Sequence, residues 1–578
     1  MRWYKFIKML IYLNNKYFFI LILCFFAGCV SSPLKGNVSD ISAVTERPSF
    51  DSTYHYSLGV LHILDDNLDG AIKECEKALS FDPTSPYLKT ELISLYIERG
   101  EIQKAITLSK KYLTEYPNNV NAHLLLGGLY LNLKDYEDAI GEYEKVIEID
   151  PTNTFARLYL GTIYAETKNY KKALKTFQDL TRTSPDHLTG NYYLAKILTD
   201  MKRYEEAEQS FKKTLSIKPT FEPALIDLGL LYEKERKTDQ AIELYRSFVD
   251  LHPPGTNVRM KLGEVLLREH KLDDAEREFK RILDLDIGNR EARLDLGLLY
   301  LERERLDDAI GEFTILLEGN PNDQRARYLL ASTYEEKKLH GKAIEEFRMI
   351  PLDSELYGNA QINIGIILKR EGKIAQAIEV MERAIRNNRD KPGLYVYLSS
   401  LYEEDKRLSS AEGILREGLL ASPHSIDLHY SLGVLYEKTN RFNESINEME
   451  SVLKIDPENA EALNFIGYTY ADRGIRLDEA EKMIKKALDL KPGNVYMIDS
   501  LGWVYFRQNR MDLAIKHLKE AADGLPNDPT IAEHLGDAYA KAGRASEAIE
   551  IYRQALKLNP ANGDLKKKLD ELTKGKSP

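Results

Sequence analysis

Apolar and polar positions follow two helical runs that return along most of the chain. In NAHLLLGGLYLNL, residues 121–133, apolar side chains recur at i, i+3, i+4 and i+7, the spacing of one helix face. The run that follows, DYEDAIGEYEKVIEIDP at 135–151, carries a second such face. It closes on Asp-Pro, where a helix ends because the residue before proline is driven out of helical conformation. The pattern predicts a helix, a short turn and a second helix, then the same again.

The period is 34 residues. A small residue marks it at Gly59, Gly127, Gly161, Gly229, Gly263, Gly297, Gly365, Gly433, Gly467, Gly502 and Gly536, with Ile93, Ala195, Ala331 and Ser399 completing fifteen rows. Only the step from Gly467 to Gly502 is 35, so the extra residue is expected in ADRGIRLDEA, between the two helices of that row. Twelve positions after the small column stands Ala (Ala71, Ala105, Ala139 and onward, thirteen on at Ala480), and Ser445 is the exception. A Pro column follows, from Pro83 to Pro560, from which Ile287, Glu355 and Arg389 depart. One helix pair cannot bury its apolar face, whereas stacked neighbours can, so the expected stability is a sum over neighbouring rows. NGDLKKKLDELTKGK offers a closing amphipathic helix, with Leu565 and Leu569 on one side.

These columns resemble the tetratricopeptide (TPR) repeat, with its small residue at position 8, Tyr at 11, Ala at 20 and Pro at 32. The resemblance implies an all-α fold, a right-handed TPR superhelical solenoid of about fifteen helix-turn-helix repeats with a C-terminal capping helix. The expected organisation is a leader at 1–28, a tether at 29–51, repeats at 52–562, and a capping helix and tail at 563–578.

The start of the chain differs from the rest. Arg2, Lys5, Lys8 and Lys16 precede an apolar run from Tyr17 to Phe26 that is short for a bilayer span, and Ala27-Gly28-Cys29 follows. This order describes a signal peptide. With the cysteine it resembles a bacterial lipoprotein signal, although Phe26 stands where Leu is usual. The resemblance implies lipid on Cys29, and Val30-Ser31 implies outer-membrane sorting, with the chain facing the periplasm of a bacterial cell envelope. The segment VSSPLKGNVSDISAVTERPS has no sustained period and reads as a flexible tether.

The formal net charge is −11, without a basic block, which argues against nucleic acid as a partner. With Cys24 in the leader and Cys29 acylated, Cys75 has no partner for an internal disulfide. DDNLDGAIKECE at 65–76 fits a calcium-loop pattern through Asp65, Asn67, Asp69 and Glu76. The repeat phase makes Ala71 a packing residue and Cys75 a core residue, so a structural turn is expected and no metal site. No H-E-x-x-H, G-x-S-x-G or P-loop occurs, so neither enzyme activity nor a cofactor is expected.

In the repeat family the first helix of each pair faces a concave wall through positions 2, 5, 9 and 12. Position 5 reads Tyr56, Leu124, Leu158, Tyr192, Ile226, Met260, Leu294, Tyr328, Ile362, Val396 and Tyr430, and position 9 adds Leu230, Leu298, Ile366, Val434, Tyr468 and Trp503. These side chains are the expected protein-binding groove, for a peptide or partner helix. Asn464, Asp499 and Glu533 interrupt the apolar column in the last three rows and mark a second, more polar contact region. The Lys and Asn set of the two-carboxylate clamp found in some family members is absent.

RGIRLDEA and DSLGWVYFR resemble the C-terminal repeats of bacterial TPR lipoproteins, some of which are adaptors of periplasmic carboxy-terminal processing proteases. Two readings stand open. One is a non-enzymatic, membrane-tethered scaffold that assembles a cell-envelope complex as such an adaptor. The other is a structural subunit of an export, secretion or pilus assembly machine at the outer membrane.

Overall fold

The computed structural model describes residues 50–574, and the expected leader, Cys29 and the tether lie outside the described residues. The described residues form 31 helices and no strand. They divide into two compact units that meet in sequence at Leu285 and Asp286. The first unit contains seven helix pairs, from Phe50–Leu64 to Leu272–Leu285. The second contains eight pairs, from Arg290–Glu302 onward, and a last helix, Gly563–Lys574. No described helix is long and apolar enough to cross a membrane.

Each row is built by the same local chemistry. Many first helices start after an Asn whose side chain accepts from the backbone N–H three residues on, as Asn119 does from Ala122, Asn153 from Ala156 and Asn459 from Ala462. Such a cap satisfies a helix-end donor that has no partner within the helix. Between paired helices one residue takes a left-handed conformation, for example Gly100 at φ 83°, Lys168 at 58° and Asn440 at 59°. That turn lets the second helix fold back against the first.

Packing within a pair fits a large side chain against the small column. A Cβ added to Gly297 would lie 2.5 Å from the Phe313 ring, and one at Gly161 would lie 2.7 Å from Phe177. Row two inverts the volumes. The large residue there is Ile93 in the small column, and the ring position holds Ser109, both buried. Ser445, the exception in the Ala column, is also buried and donates its hydroxyl to the Gly433 carbonyl at 2.8 Å.

Two rows depart from the regular pattern. The helix His340–Arg348 has only 9 residues, because Pro351 cannot continue it, and Ile350 turns into the core instead. In the 35-residue row the first helix, Ala460–Arg473, has 14 residues where most first helices have 13. The chain then leaves it through Gly474 at φ 69° and Arg476 at φ 45°. The turn 474–476 has three residues, as the turn 439–441 does, so the extra residue lengthens the first helix and the turn keeps its length with a changed conformation.

Candidate protein-binding face

First helices of successive pairs touch each other directly. Leu188–Asp200 packs on Thr154–Glu166 and Glu222–Lys234 in the first unit, and Val495–Arg507 packs on Ala460–Arg473 and Pro529–Lys541 in the second. Their shared side is the inner face of each unit, and position 5 lies on it.

The structure partly closes the strip expected there. Tyr56, Leu124, Leu158, Tyr192, Ile226, Tyr328, Ile362, Val396 and Tyr430 are half-buried, neither open nor sealed. Met260, Leu294 and Trp503 are buried, at 8%, 4% and 8% exposure, so the expectation of an open groove is corrected at these three. The reason is cover from neighbouring side chains. Tyr192 meets Phe221 edge-on at 5.3 Å, Tyr328 meets Phe347 at 5.4 Å, and Ile362 and Val396 pack against the buried core of the second unit.

Several position-5 side chains also tie one row to the next. The Tyr192 hydroxyl donates to Asp227 at 2.8 Å, and Asn363 donates to the Tyr328 hydroxyl at 2.9 Å. Burial, followed by the Asp227 carboxylate, pushes the Tyr192 phenol far above its ordinary range. At the N-terminal end Tyr56 meets the Tyr87 hydroxyl at 2.5 Å instead.

The polar interruption in the last rows forms one cluster. Asp499, 6% exposed, faces Nδ1 of His534, 7% exposed, at 3.0 Å. The Trp503 ring stacks on His534 at 4.2 Å and on Phe506 at 4.6 Å. Tyr468 lies 6.2 Å from the His534 ring, centroid to centroid. Burial raises its phenol well above the ordinary value, helped by the carboxylates of Asp472, Asp499, Glu437 and Glu533. Glu533 is held by Asn562 at 3.0 Å and by Lys568 at 2.9 Å. Two polar atoms in this region are buried without a partner, Nε1 of Trp503 and Oδ1 of Asn464.

Sequence reasoning found Asn464, Asp499 and Glu533 but missed His534, Asp227 and Asn363. The missed residues lie one position beyond column 5 of the next row, 35 residues on from their partners. A polar residue at that offset from a Tyr or Asp was the available signal.

Another column at position 4 was also missed. Arg293 reaches Glu312 of its own pair at 2.6 Å and the Ile287 carbonyl at 2.9 Å, and Arg327 reaches Glu346 at 2.6 Å and the Pro321 carbonyl at 2.7 Å. His123 and His429 meet the same two kinds of acceptor, Glu142 with the Pro117 carbonyl and Glu448 with the Pro423 carbonyl. These side chains lock each pair to the turn before it and bear on stability rather than chemistry.

The calcium-like segment is spent on structure. Leu68–Phe81 is helix, Asn67 caps it at Gly70, Asp69 pairs with Arg99 at 2.8 Å, and Glu76 accepts from Tyr96 at 2.6 Å. Among the described residues no group of three or more His, Cys, Asp and Glu side chains is placed to hold a metal ion. Cys75 is fully buried, and burial pushes its thiol up to about 12.

Family models described as tetratricopeptide repeat match residues 133–197, 190–221, 226–290, 294–355, 362–426, 426–459, 460–494 and 500–563. They span well over half of the chain, which therefore belongs to the tetratricopeptide repeat family. Residues 65–146 match the model of anaphase-promoting complex, cyclosome, subunit 3. Among curated proteins, a TPR repeat-containing protein of Pseudomonas aeruginosa is 32% identical over 154 residues, 26% of this chain and 26% of that protein. Protein O-mannosyl-transferase Tmtc1 of Drosophila melanogaster is 37% identical over 103 residues, 17% of this chain and 12% of that protein. The chain thus spans about a quarter of the first relative's length and less of the second's. Among solved structures, the APC/C hetero-tetramer Cut9-Hcn1 is 16% identical over 86% of this chain and 98% of that one, with a TM-score of 0.36. Naa15/Naa10 bound to HypK-THB is 13% identical over 90% and 96%, with a TM-score of 0.35.

Proposed function

We propose that the protein is a non-enzymatic, protein-binding scaffold, tethered by lipid on Cys29 to the outer membrane of a bacterial cell envelope and facing the periplasm. It would bring a partner protein together with others, as an adaptor of a carboxy-terminal processing protease does. The observation that carries the scaffold reading is the repeat array itself. Row after row presents a first helix whose inner side chains are half-buried, and a partner can complete their burial without the rows having to rearrange. The resemblance of RGIRLDEA and DSLGWVYFR to TPR lipoproteins supports the adaptor role, and Ala27-Gly28-Cys29 supports the tether.

Crosslinking in intact membranes followed by purification of the full chain tests this reading. Expected is a partner protein captured below one-to-one stoichiometry and released on washing. A partner retained in fixed stoichiometry with an assembled machine would favour the structural-subunit reading instead. Cys29→Ser should move the protein out of the membrane fraction, and an unchanged distribution and mass would overturn the tether.

A further inference from the structure

The two ends of the array are closed differently. At the C-terminal end the helix Gly563–Lys574 covers the last pair, and its Leu565 is fully buried. At the N-terminal end one side of the first helix, Phe50–Leu64, is uncovered among the described residues. Tyr54 is 53% exposed and Leu61 55%, and with half-buried Leu58 they stand at i, i+4 and i+7 on one face. In row two the positions of Tyr54 and Leu61 hold Leu88 and Leu95, 5% and 3% exposed, and both columns are buried in every later row. What lies against Pro86–Arg99 in row two is the second helix of the row before it, Leu68–Phe81, which buries Ile72, Cys75 and Ala78. Row one has the same apolar face without that helix, whereas repeat arrays close their ends with a cap whose outer side is polar.

Residues 34–47 directly precede the open face and lie outside the described residues. Composition alone reads them as tether. Set 34 residues ahead of row one, however, LKGNVSDISAVTER lines up with LDGAIKECEKALSF. Leu34 and Gly36 fall on Leu68 and Gly70, and Val38, Ile41 and Val44 fall on Ile72, Cys75 and Ala78. Elsewhere the Ala78 column holds Val146 and Val452 and the Cys75 column holds Ile484 and Leu518, all buried, so these residue types fit their places. Lys35, Ser39, Asp40 and Ser42 fall between the apolar positions, as an outer polar side requires. Rows already described show the contact that Val44 would make. A Cβ on Gly190 would lie 2.9 Å from Leu180, and one on Gly418 would lie 3.0 Å from Leu428. Val44 and Tyr54 stand at the same offset in sequence.

We infer that residues 34–45 form the second helix of an incomplete row and dock on Tyr54, Leu58 and Leu61 of the same chain, closing the array at its N-terminal end. Residues 46–49, with Pro48 among them, then join this helix to Phe50, as residues 82–85 join Phe81 to Pro86. So short a link makes the docking intramolecular at high effective concentration, which favours this segment over a second copy. The docking has a consequence that rests on the lipid tether at Cys29. The chain from Cys29 to Leu34 reaches at most about 17 Å, whereas that from Cys29 to Phe50 would reach about 70 Å. The first unit is thus held close to the bilayer instead of ranging from it.

Hydrogen exchange of the full chain, purified from membranes in detergent, tests the docking. Amides of residues 38–45 should exchange at least about tenfold more slowly than in a free peptide of the same sequence. Ile41→Asp sets a charge against the apolar face and should return them to the free-peptide rate. Tyr54→Ser with Leu61→Ser should do the same from the other side, and both replaced side chains are more than half exposed, so row one keeps its fold. Unchanged exchange in the helix Pro86–Arg99 checks that it does. A free-peptide rate in the wild-type chain would overturn the inference, and so would protection that survives both variants. Protection lost on tenfold dilution would assign the face to a second copy instead. Protection that appears only after reconstitution into phosphatidylethanolamine vesicles would assign it to the lipid surface. Protection of 38–45 together with unchanged membrane fractionation of Cys29→Ser would leave the docking standing and overturn only the tether. Release of Cys29→Ser from the membrane without protection in the wild-type chain would do the reverse.

Discussion

Rows five and six and rows fourteen and fifteen tie one inner helix to the next through equivalent positions, but with different chemistry. In the first case the Tyr192 hydroxyl donates to Asp227, and both side chains are half-buried. In the second the Asp499 carboxylate faces His534, and both are buried. A hydroxyl tie of the first kind contributes about 1 kcal/mol net. A buried pair of ionisable groups has lost the water that solvated it, and its attraction repays this only when the geometry is good. The two sites serve the same connection, so connection alone does not explain the more demanding pair. What the pair adds is a fixed imidazole against which Trp503 stacks.

The largest effect expected from this contrast is at His534. His534→Ala leaves Asp499 buried without its partner and should destabilise the last rows by about 3 kcal/mol or more. The double variant Asp499→Leu with His534→Leu removes both groups and should recover most of that loss. Stability in a repeat array is local, so hydrogen exchange of residues 495–541 is the measurement. Equal losses in the single and double variants would show that packing, not the uncompensated carboxylate, set the cost.

A packing change that leaves both ties intact gives the scale. Gly297→Val places new carbons against the Phe313 ring, where even a Cβ would lie at 2.5 Å. Overpacking of this kind costs about 1–3 kcal/mol. A urea midpoint unchanged from wild type would mean that the ring can move aside, and that the small column is less restrictive than its spacing suggests.

That column was fully visible in the sequence, and so was the all-helical fold, because both rest on contacts within one row at a constant offset. Small residue, ring and Ala keep their spacing wherever the helices keep theirs, and Ser445 and the Ile93–Ser109 inversion preserve the packing while breaking the letter pattern. Exposure on the inner face was less legible. Whether Tyr328 or Met260 is open depends on which side chains neighbouring helices lay across it, and no periodicity in one row reports that. Asp499 stood out in sequence as an acid in an apolar column, but its meaning required His534, 35 residues on. The short helix before Pro351 was likewise hidden, since the 34-residue phase continues through it unchanged.

The hydroxyl ties should be smaller in effect than either change above. Tyr192→Phe keeps the ring that meets Phe221 and removes only the bond to Asp227, so a loss of about 1 kcal/mol is expected. Tyr328→Phe, which frees Asn363, should behave alike. Losses near the His534→Ala value would mean that these half-buried ties are as sensitive as the buried pair, and the contrast between the two regions would fail.

The smallest effect is at Asn464. Its side chain is half-buried and its Oδ1 has no partner, so the free protein gains nothing from that acceptor. Asn464→Leu substitutes a side chain of comparable size without a polar atom to desolvate. Leu at this position also restores the apolar character that column 5 has from Leu124 to Tyr430. The variant should therefore be as stable as wild type, or more stable by up to about 1 kcal/mol, because an unsatisfied buried polar group carries a desolvation cost of at least that order. A thermal melt monitored by circular dichroism reads the change. A melting temperature unchanged or raised is what an acceptor idle in the free protein would show. A clear fall in stability would mean that Asn464 is a structural residue whose carbonyl is satisfied in solution, and the last rows would then differ from the middle ones in packing alone.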